Sequence, residues 1–176
     1  MKTMAKAVGL LLVIAFVAGA WQARYGQEDR PAGSPGPFRT GPVERSRSPG
    51  TSPELRSVES LERQGSDRVV FTFQGAKPGY RVRYVPRVTT PDGRRLPLHG
   101  RAFLEVRFDP ARAHDPAGRL TFPTGTLTPG AAVVREVRFA GDFEGRVWFG
   151  IGLAGRGGFR VADLGGPTRV VIDVAA

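Results

Sequence analysis

The sequence contains no cysteine, and this absence excludes disulfide bonds, thiolate metal sites, a cysteine nucleophile and an acylated cysteine near the N-terminus. All of its serines lie at or before Ser66, so the chain beyond that residue has no serine nucleophile for a catalytic triad. His99 and His114 are the only histidines, and their spacing matches no metal-binding motif. We therefore predict no metal site and no other cofactor.

Lysine is also rare, since Lys2, Lys6 and Lys77 are the only lysines among 26 basic residues. The formal net charge is nevertheless +10, which indicates an anionic partner such as nucleic acid, an acidic membrane or an acidic polymer outside the cell. The one-sided use of arginine, beside abundant glycine and proline, is equally typical of codon bias in a GC-rich genome. Both interpretations stay open at this point.

Long apolar runs are confined to the N-terminus. Two lysines precede the run Ala7–Trp21, and Ala18-Gly19-Ala20 has the small residues that signal peptidase reads. The run is shorter than the roughly 20 residues that span a bilayer. Residues 1–20 are therefore predicted to be a cleaved signal peptide, with an uncleaved membrane anchor as the alternative. In both cases we expect an exported chain, extracytoplasmic or associated with the cell wall.

A polar segment follows, and its composition predicts disorder. Residues 21–53 are rich in proline, glycine, serine and arginine and have almost no branched apolar residues, so they read as a disordered linker. The next stretch, SPELRSVESLERQG, fits two structures. Ser52 and Pro53 are suited to begin a short helix, whereas the residues from Leu55 to Leu61 could equally form a strand.

From Asp67 onward apolar and polar residues alternate, which is typical of half-buried strands. Turn sequences such as KPG, PDG, GDFEG and GRGG separate the alternating stretches, and no long helical period occurs. Residues 54–176 are therefore predicted to be an all-β domain, a small β-sandwich of about 7–8 mostly antiparallel strands. Two stretches, RVVFTF from Arg68 and RVVIDV from Arg169, share one register and should both face the core, although the pattern does not settle whether they pair.

Paired carboxylates are the nearest approach to a catalytic motif. Asp142 and Glu144 in GDFEG could in principle act as general acid and base in an envelope hydrolase. Their position at a predicted hairpin tip favours ordinary turn residues, because nothing there implies an apolar pocket that would raise a pKa. We predict no catalytic residue and no enzymatic activity, and retain the hydrolase as an alternative.

Alternation also predicts which side chains face outward. Arginines can pair with carboxylates through two nitrogens, and an indole can lie against a sugar ring, so an outward mixture of the two suits an acidic glycan. A solvated face, with these residues divided between two sheets, is the alternative. The predicted ligand-binding residues are Arg81, Arg83, Arg107, Arg138 and Trp148.

Three phrases in order, DRVVFTFQGAKPGYRVRYV, LHGRAFLEVRF and REVRFAGDFEGRVWFGIGLAGRGGFRVADLGGPTRVVIDV, resemble the AMIN-like domain of exported proteins from high-GC bacteria. The resemblance covers about residues 55–174. It implies a β-sandwich of two small sheets that binds the cell envelope, in particular peptidoglycan, without catalysis. It also favours a strand over a helix between Leu55 and Leu61, because a strand precedes the DRVVF phrase in similar proteins.

The leading hypothesis is therefore an exported, non-catalytic module that binds peptidoglycan or another anionic wall polymer. Related domains are commonly attached to a hydrolase or a secretin, so an envelope enzyme or a secretion protein is a second expected partner. The alternatives are the envelope hydrolase above and a charge-driven binder of nucleic acid or anionic surfaces, although nucleic acid is not the expected partner.

Overall fold

The computed structural model describes residues 36–123 and 125–176. The predicted signal peptide and residues 21–35 of the predicted linker lie outside them. In the described part of the chain, no helix is long and apolar enough to cross a membrane. The strands found there are β1 Val43–Arg45, β2 Glu54–Arg63, β3 Ser66–Gln74, β4 Tyr80–Val85, β5 Ala102–Phe108, β6 Val134–Phe143, β7 Arg146–Leu153, β8 Phe159–Leu164 and β9 Thr168–Ala175.

These strands form two sheets packed face to face. The five-stranded sheet has the order β1-β4-β5-β7-β6, and the four-stranded sheet has the order β2-β3-β9-β8. All neighbouring strands are antiparallel. The predicted all-β sandwich is confirmed, with nine strands instead of about 7–8 in the described residues.

Aromatic rings from both sheets fill the space between them. Phe71 of β3 meets Phe108 of β5 and Phe149 of β7 edge to face, with ring centroids 4.9 and 5.0 Å apart. Such pairs contribute about 0.5–1.5 kcal/mol each beyond the burial of their area. Because side chains alternate along a strand, the inward direction of these rings fixes which neighbours face outward.

The two similar stretches of the sequence are adjacent strands. β3 and β9 pair so that Val69 lies opposite Ile172 and Phe71 lies opposite Val170, and all four side chains are buried. The shared register inferred from the pattern is therefore confirmed. The pairing itself is added by the structure, since strand alternation does not identify partners.

A buried carboxylate joins three strands on the outer side of the four-stranded sheet. Arg68 of β3 donates from Nε to Asp173 Oδ1 at 2.6 Å and from Nη2 to Oδ2 at 3.0 Å. Arg160 of β8 donates to the same Oδ2 at 3.0 Å. Two guanidinium groups thus bind the one carboxylate of β9 between them, which holds β3, β9 and β8 in register.

The residues from Leu55 to Leu61 are a strand, as the resemblance implied. β2 pairs with β3 along its whole length, with Leu55 opposite Phe73 and fully buried. The local helix signal at Ser52 and Pro53 is overridden because a helix would forfeit this pairing and leave Leu55 outside the core.

The predicted linker contains one more strand. Val43–Arg45 forms β1 on the edge of the five-stranded sheet and pairs with β4, and Arg39 exchanges backbone hydrogen bonds of 2.9 and 2.8 Å with Phe159. Composition predicted disorder here because the segment has few apolar residues to bury. Backbone hydrogen bonds hold it instead, together with Val43, which packs against the core. Residues 43–45 thus belong to the sheet, against the prediction of a linker up to residue 53.

The connection between β4 and β5 folds back over the outer face of the five-stranded sheet. Val88 is buried against it, and a Cβ at Gly150 would meet Leu98 at 2.6 Å and Leu96 at 3.1 Å. A Cβ at Gly152 would clash with the carbonyl oxygen of His99. Glycines on β7 therefore let this connection lie directly on the sheet.

Replacing Asp173 with Asn should remove a pH-dependent part of the stability. Burial alone would raise the pKa of the Asp173 carboxyl, but hydrogen bonds and charge from Arg68 and Arg160 outweigh burial and lower the pKa below its ordinary 3.8. The stabilisation is therefore complete above that value and is lost as the pH falls through the lowered pKa. At neutral pH the variant should lose about 3 kcal/mol of unfolding free energy.

Urea unfolding of both proteins between neutral and acid pH measures this difference. The gap between wild type and Asp173→Asn should narrow below the ordinary aspartate pKa, and the exposed Glu62→Gln serves as the control with little change. A gap that stays constant down to the most acidic pH would contradict the assignment.

Replacing Gly152 with Ala should displace the β4–β5 connection, because the added methyl group meets the backbone of His99. We expect a loss of about 1–3 kcal/mol in unfolding free energy, which is typical of overpacking. Gly155→Ala is the matched control, since a Cβ there meets nothing within 4 Å. Equal thermal midpoints for the two variants would show that the connection does not rest on the sheet.

Candidate functional site

The predicted ligand-binding residues all lie on the outer face of the five-stranded sheet. Each lies between two neighbours that pack in the core, as Arg107 does between Val106 and Phe108. The strand register arranges them in two adjacent rows. The arginine–tryptophan row consists of Glu44, Arg81, Arg107, Trp148 and Gly141, and the paired row consists of Arg83, Glu105, Gly150 and Arg138.

In the paired row each arginine is neutralised by a carboxylate of the same sheet. Arg83 donates from Nε to Glu105 Oε1 at 2.9 Å, and its Nη2 lies 2.8 Å from the same oxygen. Arg138 Nη2 lies 2.6 Å from Oε1 of Glu136, which is fully buried and also accepts the backbone N–H of His99 at 2.6 Å. Charge at this row is largely satisfied within the domain.

The arginine–tryptophan row is different, because its two arginines lie directly opposite each other on β4 and β5. Arg81 Nε is 3.5 Å from the nearest oxygen of Glu44, and Arg107 Nη2 is 3.9 Å from Asp109. Like charges directly opposite on a sheet repel. In the described part of the chain, Nε of Arg81 and Nε of Arg107 are both buried and have no hydrogen-bond acceptor, as is also true of Nε of Arg138 in the paired row. The two rows therefore differ in how close their carboxylates lie to the guanidinium groups.

A cavity of about 220 Å³ lies at the β1 end of this row. It brings together the two row arginines and residues that the sequence did not single out. Arg45 and Arg47 fell within the predicted linker, and the one available signal was Val43, an isolated branched apolar residue in that segment. The cavity is lined by Glu44, Arg45, Ser46, Arg47, Tyr80, Arg81, Arg107 and Asp109.

Asp163 of β8, which is not itself part of the lining, binds the basic residues beside the cavity. Its carboxylate accepts hydrogen bonds from Arg47 Nη2 at 2.8 Å and Lys77 Nζ at 3.1 Å, and Arg45 Nε lies 3.6 Å away. Burial alone would raise the pKa of Asp163, but Lys77 and Arg47 outweigh it and lower the pKa. One carboxylate thus holds three cations in place and leaves an excess of positive charge.

The two candidate catalytic carboxylates have separate roles. Asp142 is nearly buried and accepts the backbone N–H of Ala113 at 2.6 Å, and its Oδ2 lies 2.5 Å from His114 Nδ1. Glu144 is at the β6–β7 hairpin tip with a positive φ of 50° and a side chain that is 67% exposed. Asp142 anchors a connection and Glu144 forms a turn, so this geometry does not make them an acid–base pair.

In residues 36–123 and 125–176, no three histidine, aspartate or glutamate side chains are grouped so that they could hold a metal ion. His99 projects into solvent with its side chain 83% exposed, and His114 is occupied by Asp142.

One of three comparisons with known proteins identifies a family for this chain. The family model described as the AMIN-like domain matches residues 53–176, a range that contains β2 to β9. Neither the curated proteins nor the solved structures yield a match to the chain. The family match covers well over half of the chain, and the chain belongs to the AMIN-like domain family.

Proposed function

We propose that this protein is an exported, non-catalytic module that binds peptidoglycan, or another acidic polymer of the cell wall, through the arginine–tryptophan row. The observation that carries the proposal is the placement of Arg81, Arg107 and Trp148 side by side on the outer face, on the neighbouring strands β4, β5 and β7. The membership of the AMIN-like family supports a cell-envelope module.

The chemistry of the row suits a polymer that carries both sugar rings and acid groups. Trp148 lies beside Arg107 in the register, and neighbouring strands are about 4.8 Å apart. A sugar ring stacked on the indole would therefore place its substituents within reach of the guanidinium group. Arginine binds carboxylate and phosphate oxygens through parallel N–H donors, which adds orientation to charge attraction.

The absence of catalysis in this proposal is supported by the positions of the candidate acids. Asp142 is occupied by a backbone N–H and by His114, and Glu144 lies in solvent at a hairpin tip. Export is supported by the signal peptide predicted for residues 1–20. In the envelope, the module would hold an envelope enzyme or a secretion protein close to the wall polymer.

Sedimentation of the full chain with isolated peptidoglycan sacculi tests the proposal. Wild-type protein should sediment with the sacculi, and Trp148→Ala should weaken binding about tenfold, the equivalent of ~1.4 kcal/mol. Phe143→Ala is the matched control, because Phe143 is a 57% exposed aromatic residue at the hairpin tip of the same sheet. The thermal midpoint of each variant identifies any loss that comes from unfolding.

A duplex DNA competitor and a salt series separate this proposal from binding by charge alone. Wall binding should survive moderate salt because stacking on Trp148 is not screened, whereas binding through charge alone falls steeply with salt. Equal affinity for DNA and sacculi, lost together at moderate salt and unaffected by Trp148→Ala, would replace the proposal with the charge-driven binder.

A further inference from the structure

We propose that the cavity between β1 and the β4–β5 pair is a binding site for a single carboxylate or phosphate group. This inference rests on the proposed function, since the site adjoins Trp148 in the same row, and it specifies which group of the polymer is recognised and where. The proposed site includes residues 45–47, which were predicted from the sequence to belong to a linker.

The first argument is the unfinished electrostatics of Arg81 and Arg107. The two residues lie opposite each other on β4 and β5, their nearest carboxylates are at 3.5 and 3.9 Å, and their Nε atoms are buried without an acceptor. Two residues along β4, on the same face, Arg83 instead has two nitrogens within 2.9 Å of Glu105. The sheet therefore completes one arginine and leaves an adjacent like-charged pair, which an oxyanion between them would neutralise.

The second argument is that the two carboxylates that line the cavity, Asp109 and Glu44, already contact cations and do not cancel its positive charge. Asp109 accepts a hydrogen bond from Arg146 Nε at 2.8 Å, which is much shorter than its 3.9 Å approach to Arg107. Glu44 is about half exposed and lies 3.5 Å from Arg81. Four arginines line the cavity against these two acids, so the cavity remains positive overall.

The third argument is that hydrogen bonds fix one arginine of the cavity wall in position. Arg47 donates from Nη1 to the carbonyl oxygen of Pro78 at 2.8 Å and from Nη2 to Asp163 at 2.8 Å. Gly79 permits the close approach, since a Cβ there would meet the backbone oxygens of Asp109 and Arg45. A preorganised arginine loses less conformational entropy when it binds a ligand.

The size of the cavity is compatible with an acid group that is attached to a larger molecule. A volume of about 220 Å³ exceeds that of an oxyanion alone and admits the atoms that join it to a ring or chain. Ser46 and Tyr80 are also part of the lining, and Arg107 lies opposite Trp148 in the register. A ring on the indole with its acid group directed toward β1 satisfies both features.

Thermal unfolding of the full chain in phosphate and in chloride at matched ionic strength tests the site without any polymer. A ligand that binds only the folded state raises the midpoint, and we expect a rise of about 3 °C for the wild type in phosphate. The double variant Arg81→Gln/Arg107→Gln should lose this rise, and its midpoint in chloride should be equal or higher because the like charges are gone. Arg87→Gln/Arg95→Gln removes two charges from exposed positions of the β4–β5 connection and should keep the rise.

Calorimetric titration with inorganic phosphate and with acetate should show at least about tenfold weaker binding to the Arg81/Arg107 double variant than to the control pair. Sacculi with amidated carboxyl groups and sacculi stripped of phosphodiester polymers distinguish the two sources of the anion. Loss of wild-type binding after amidation identifies a carboxylate, and loss after stripping identifies a phosphate.

An equal phosphate effect on the wild type and on the Arg81/Arg107 double variant would overturn the site. Sacculus binding that depends on Trp148 but not on Arg81 and Arg107 would also overturn it, and would reduce the proposed function to a wall-binding module that stacks sugar rings on Trp148. Selective stabilisation of the wild type by phosphate, together with no binding to any sacculi, would instead support the anion site and contradict the proposed function.

Discussion

The pairing of β3 with β9 is the constraint on which the rest of the structure depends. These strands are the central pair of the four-stranded sheet, and β2 and β8 attach to their free edges. Asp173 binds Arg68 and Arg160 across three strands on the outer side, whereas the inner side of the pair carries apolar residues, with the buried Asp67 at one end of β3. Because these middle strands lie far apart in sequence, their pairing closes a long loop, and the packing of the intervening strands offsets the entropic cost of closing it.

The second sheet is positioned by the inner side of this pair. Phe71 meets rings from β5 and β7, and Asp67 of the same strand accepts the backbone N–H groups of Val133 and Val134 at 2.6 and 2.7 Å. Adjacent residues of β3 thus act on opposite sides, since Asp67 reaches the start of β6 and Arg68 binds β9. The alternation of a strand converts one short stretch of sequence into contacts with both layers.

On the outer face of the five-stranded sheet, the arginines of the two rows differ in how close their carboxylates lie. The β4–β5 connection covers the paired row at Gly150 and also reaches the β6 end of the arginine–tryptophan row, where Pro91 lies over Gly141. Two carboxylates neutralise the arginines of the paired row, whereas Arg81 and Arg107 lie opposite each other beside Trp148. Like charges opposite each other, with carboxylates no closer than 3.5 and 3.9 Å, cost stability, and functional sites are where proteins retain such costs. The proposed binding role gives this arrangement a physical reason, because an oxyanion would supply the missing counter-charge.

The sequence alone determined the fold class, the inward and outward residues of most strands, and the outward position of the five predicted ligand-binding residues, because a period of two is a local property. The tertiary structure alone decided that β3 pairs with β9 and that Arg81, Arg107 and Trp148 form one row, because strand order and register depend on contacts between residues far apart in sequence. It also decided that Arg45 and Arg47 join the cavity. Edge-strand hydrogen bonds hold β1 there with little apolar burial, and backbone hydrogen bonds leave no trace in side-chain composition.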